Sequence, residues 1–219
     1  AQNVAASMSG CAGQRCMAAS AMIGVGNVDA IIDKICEEAR KIVPGENLGA
    51  VINKESKERI ERFIGEAERD GAKILVDGRN TKVNGKENGT YVGPTVIDFV
   101  TPQMSVATEE IFGPVISIMR TNTVDEALAI ENANPYGNAA SVFTQNGAMA
   151  HYIIDHASAG MIGVNVGVPV PREPFSFGGW NESKFGVGDI TGKSSIEFWT
   201  KLKKSTTKWN AEAGVNWMS

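Results

Sequence analysis

Stretches with apolar residues at helical spacing alternate with short β-branched runs along almost the whole of this chain, and few folds accept that alternation. In "NVDAIIDKICEEARKIVPG", Val28, Ile31, Ile32, Ile35, Ala39 and Ile42 recur at helical spacing, with Asn27 as N-cap and Pro44-Gly45 as the stop. "KESKERIERFIGEAERDGA" repeats the pattern through Ile60, Phe63, Ile64 and Ala67 and ends at Gly71. Helices are also expected in "TVDEALAIENA", opened by the capping box Thr123 and Glu126, and in "AMAHYIIDHASAG". "KILVDG", "YVGPTVIDFV", "GPVISIM", "AASVF" and "MIGVNV" read as the intervening strands. This order predicts an α/β fold, an open, mostly parallel sheet with flanking helices. A β-rich run near 197–209 carries Lys201, Lys203 and Lys204 and reads as a C-terminal edge strand, since charge protects an exposed edge. No internal repeat or domain boundary interrupts residues 1–219.

Composition removes several function classes. At 219 residues, 42% hydrophobic and 21% charged, the chain can bury a proper core. A net charge of -4 with no long basic run gives no reason to expect a nucleic-acid partner. No apolar stretch reaches the roughly 18 residues of a membrane span. Three cysteines are too few, and odd in number, for a disulfide scaffold, and they suit a reducing compartment. His151 and His156 lie five apart with no cysteine nearby, so no metal site is expected. Gly24-Val25-Gly26 begins a dinucleotide fingerprint, but Asp29 stands where its third glycine belongs.

Three segments remain as chemistry. The loop "PREPFSFGGWNESKFGVGDITG", residues 171–192, is too long and too glycine-rich to be idle in a compact domain. Glu109 and Glu110 precede "IFGPV"; they read either as a solvated pair or as acids that reach a ligand where the chain turns into a buried strand. "SGCAGQRCMAAS" holds Cys11 and Cys16. Cys16 has Arg15 beside it and Gly13 three positions before, giving positive charge and room for a substrate, as a nucleophilic thiolate requires. Cys11 has only Gly10 and Ala12 as neighbours, and a reversible Cys11–Cys16 disulfide is a further option. Cys36 lies on a helical apolar stripe and reads as core.

"GQRC" followed about a hundred residues later by "EEIFGPV", then "NPYGNAASVFT" and "GVNVGVPVP", resembles the aldehyde dehydrogenase superfamily over nearly the whole chain. "AGQRCMA", "GVNVGVPVP" and "FSFGGWNESKFG" are most similar to its CoA-acylating branch, which acts on methylmalonate-type semialdehydes. The resemblance implies a catalytic domain with Cys16 as nucleophile, its backbone N–H at the oxyanion, and a thioester that passes to CoA. It implies NAD as cofactor, with Glu110 on the nicotinamide ribose and Phe112 packed beside it. Arg15 and Asn165 are implied as contacts to a small-molecule semialdehyde, Arg15 either gripping its carboxylate or serving the thiolate. It further implies an NAD-binding domain outside this chain, little activity from the chain alone, and a homodimer or homotetramer built through the C-terminal strand. The expected compartment is cytoplasmic, or the mitochondrial matrix in a eukaryote. A hydrolytic member of another branch, or a chain that only oligomerises, stands as the alternative.

Overall fold

The computed structural model describes residues 1–207 and 209. Helix α1 (Gln2–Ser9) leads through a 3-10 turn (Gly10–Gly13) and an irregular segment holding Cys16 into strand β1 (Ala21–Val25). There follow α2 (Asp29–Arg40), α3 (Lys54–Arg69), β2 (Lys73–Val76), β3 (Thr95–Asp98), α4 (Ser105–Thr108) and β4 (Val115–Thr121). The chain continues with α5 (Val124–Ala133), β5 (Tyr136–Gly137), β6 (Ala139–Val142), α6 (Gly147–His156), β7 (Met161–Val164), β8 (Trp180–Asn181) and α7 (Ser194–Trp199).

A four-stranded sheet in the order β1-β4-β3-β2 forms the centre. β1, β4 and β3 run parallel, and β2 closes the edge antiparallel to β3. Because successive strand residues face opposite ways, β4 feeds two cores. Val115 and Met119 join Ile97 of β3 under α3, whose Ile60, Phe63, Ile64 and Ala67 are buried there. Ile116 and Ile118 join Val96 on the other face, beneath Ile32, Ile35, Cys36 and Ala39 of α2 and Met8 of α1. The sheet is thus sandwiched between helical layers, as the alternation predicts. β6 and β7 make a separate parallel pair, and β5 pairs antiparallel with β8 from the glycine-rich loop.

Helix ends follow their local chemistry. The capping box forms as expected: Thr123 accepts from the Glu126 N–H and Glu126 reaches back to the Thr123 N–H. Asn27 acts one position earlier than expected. Its Oδ1 accepts from the Asp29 N–H at 3.1 Å, while Val28 occupies the N-cap position. The C-terminal expectation is corrected at its start: residues 197–199 belong to α7, while 200–207 pair with no strand of this chain among the described residues, their expected partner being a second copy. The remainder of the expected strand, apart from Trp209, lies outside the described residues.

Candidate active site

The parallel pairing of β1 with β4 and of β6 with β7 decides what meets at Cys16. Cys16 precedes β1, Glu110 and Phe112 precede β4, and Asn138 precedes β6. All four lie at the amino ends of parallel strands. Gly13 makes the closest junction. It has φ +70, and a Cβ there would collide with the carbonyl of Gly113. Bare Cα atoms at Gly13 and Gly113, the latter tight against Ile60, allow the cysteine loop and the "IFGPV" turn to touch.

Each strap of the site has its own anchor. Arg59 of α3 donates to the carbonyls of Glu110 (2.9 Å) and Ile111 (2.6 Å), which fixes the turn through its backbone. The carboxylate of Glu110 stays exposed, and Phe112 is 37% exposed in a left-handed conformation, φ +54. On the cysteine side, Gln14 accepts from the Ile52 N–H at 2.9 Å. Ser7 of α1, 2% exposed, accepts from the Ala19 N–H and donates to the Gly167 carbonyl, tying the approach to β1 to the segment after β7. Asn138 donates to the Cys16 carbonyl at 2.7 Å. Arg59, Ser7 and Asn138 carry no local sequence signal, since each acts on backbone far along the chain.

The thiols separate as their surroundings require. Cys11 and Cys16 are exposed, and Cys36 is 4% exposed. Burial pushes the Cys36 thiol up from its ordinary value. Among the described residues nothing accepts from the Cys16 N–H. Arg15 folds back so that its guanidinium lies against Gly10, and its buried Nε meets no acceptor among the described residues.

The Asn165 side chain bonds the backbone of Thr144. Its Oδ1 accepts from the Thr144 N–H at 3.0 Å and its Nδ2 donates to the Thr144 carbonyl at 2.9 Å. The amide is therefore spent on joining the carboxyl ends of β6 and β7. Cys16 is held at the opposite end of β6, a strand of four residues, or roughly 13 Å. A cavity of about 510 Å³ opens beside β7, between Val166, Val170 and Phe175, and Cys16 does not line it.

The aldehyde dehydrogenase family model matches residues 1–205. This chain belongs to the aldehyde dehydrogenase family. It is 45% identical over 209 residues to the mitochondrial, acylating methylmalonate-semialdehyde/malonate-semialdehyde dehydrogenase of Bos taurus, covering 93% of this chain and 39% of the relative. The Homo sapiens enzyme of that name is 44% identical over 209 residues, with the same coverage. The crystal structure of methylmalonate-semialdehyde dehydrogenase from Oceanimonas doudoroffii superposes with a TM-score of 0.89 at 39% identity, over 95% of this chain and 45% of that one. An NAD complex from Sinorhizobium meliloti 1021, provisionally assigned to the same enzyme, gives 0.91 at 37% identity, over 96% and 45%. The aldehyde dehydrogenase chain thus spans about two fifths of the length of these curated relatives.

Proposed function

We propose that these residues form the nucleophile-bearing part of an NAD-dependent, CoA-acylating dehydrogenase of malonate-type semialdehydes. The observation that carries the reading is the junction at Gly13, which sets an exposed Cys16 with an unengaged N–H beside the turn bearing Glu110 and Phe112. The Cys16 thiolate attacks the aldehyde carbon, and the Cys16 N–H meets the oxygen that becomes anionic. Glu110 and Phe112 fit one wall of a nicotinamide-ribose site, an open carboxylate for hydroxyl donors and an aromatic beside it. NAD bound there would supply the acceptor for the hydride that leaves the carbon, and the acyl group is left on Cys16 as a thioester. The thiol of CoA then takes the acyl group: the new S–C bond forms, the bond to Cys16 breaks, and the thiolate is regenerated.

Arg15 sets the substrate class in this reading, because it is the sequence neighbour of Cys16 and a guanidinium can hold a carboxylate bidentately. In the dehydrogenase, Arg15→Leu should cost a malonate-type semialdehyde about 2 kcal/mol or more in kcat/KM, and propanal much less. Equal losses for the two aldehydes would assign Arg15 to the thiolate. Product analysis with and without CoA tests the acylating step, since acyl-CoA must form only when CoA is added. The chain alone supplies one wall of the NAD site, so it should bind NAD weakly and oxidise no aldehyde by itself; micromolar affinity by calorimetry would contradict this. The names of the Bos taurus and Homo sapiens relatives support the mitochondrial matrix as the compartment in a eukaryote, with the cytoplasm its counterpart in a prokaryote. A homodimer or homotetramer completes the proposal.

A further inference from the structure

The segment that the sequence reading leaves without a task is the glycine turn of residues 178–179, and the structure leads from it to Cys16. We infer that Asn138 is a positioning residue for the nucleophile and couples that turn to the reacting loop; this rests on Cys16 being the nucleophile. Asn138 Nδ2 donates to the Cys16 carbonyl at 2.7 Å, across 122 positions of sequence. Among the described residues no other donor reaches that carbonyl. This bond restrains the Cys16–Met17 peptide and with it the backbone of the loop that presents the Cys16 thiol and N–H. A reaction that builds an oxyanion at that N–H depends on the alignment. A simple displacement at the same sulfur does not.

The glycine turn determines where Asn138 can stand. A Cβ on Gly179 would lie 3.1 Å from both Cα and Oδ1 of Asn138. A Cβ on Gly160 would lie 2.5 Å from the Gly178 carbonyl oxygen, so the turn is seated against bare backbone on that side too. Gly137, the neighbour of Asn138, donates to Ser183 Oγ at 3.1 Å and pairs with Trp180 in the β5–β8 ladder. The 171–192 loop thus grips Asn138 from two directions, and Asn138 grips the peptide of Cys16.

The test compares two electrophiles on the purified chain in a Cys11→Ser background. Iodoacetamide reacts with Cys16 by displacement, and p-nitrophenyl acetate acylates it through a tetrahedral oxyanion. Asn138→Ala should slow acylation roughly tenfold or more while changing alkylation less than about twofold. Asn138→Gln, which restores an amide donor, should recover part of the acylation rate. Gly179→Ala should slow acylation in the parent background and add little to Asn138→Ala, as a shared route requires. Equal slowing of both reactions, or slowing of neither, overturns the inference. If Asn138→Ala melts below the assay temperature, Gly179→Ala alone decides by the same split between the two reactions. An unsubstituted Cys16 that resists acylation would instead overturn the reading of Cys16 as the nucleophile, and the inference with it.

Discussion

Cys16 and Cys36 carry the same thiol in opposite settings, one exposed on an irregular loop and the other sealed under α2. Iodoacetamide should therefore modify Cys16 first, Cys11 more slowly, and Cys36 only as the chain unfolds, with peptide mapping as the readout. Glu131 makes a second prediction at this scale. Burial pushes its carboxyl above the ordinary range, and the Ser158 N–H at 3.0 Å opposes the shift without cancelling it. A folded-state value above the unfolded one means the native chain holds this proton longer. The resulting stability is full at acid pH, below the unfolded value, and is lost as pH rises through the folded value. Glu131→Gln keeps an oxygen for Ser158 and cannot ionise. It should raise the melting temperature at neutral pH relative to the parent and flatten the dependence between mildly acid and neutral solution. A parent protein whose stability is unchanged across that range would contradict the assignment.

Among the elements, the contact between the cysteine loop and the turn before β4 depends on Gly13. Gly13→Ala places a methyl group on the Gly113 carbonyl at φ +70, and it should cost about 2 kcal/mol or more by urea unfolding. α2, α3 and α5 were legible because each keeps apolar residues on one face over several turns, with a recognisable start or stop. The strands of the central sheet were legible from short apolar runs between polar loops. The start of the 197–209 segment, residues 197–199, was misread. β-branched and aromatic residues favour a strand only where a partner backbone is present, and Ile196, Phe198 and Trp199 serve equally well in a short helix. Motif resemblance pointed to Cys16, Glu110 and Phe112, but Asn138, Arg59 and Ser7 escaped notice. Each bonds to a carbonyl or an N–H, so nothing in the identity of the residue at the other end announces the pair.

At the scale of the molecule, apolar side chains are exposed near the carboxyl end of the described residues. Ile196 is 70% exposed, Trp199 71% and Leu202 84%, a concentration that suits burial against a second copy. Sedimentation velocity should show a dimer or tetramer at micromolar concentration, and Trp199→Ser with Leu202→Ser should shift it toward monomer. A monomer before substitution would refute the proposed assembly. The bonds around Cys16 have another consequence, for what its chemistry requires of the fold. Gly13 leans on the turn into the central sheet, whereas the Cys16 carbonyl is held from the start of the β6–β7 pair. Neither sheet alone gives the thiol its surroundings. In the proposed reading, acylation at Cys16 therefore needs both sheets in place, whereas simple alkylation of the thiol does not. On that reading, the acylation rate of Cys16 reports whether the two sheets have come together.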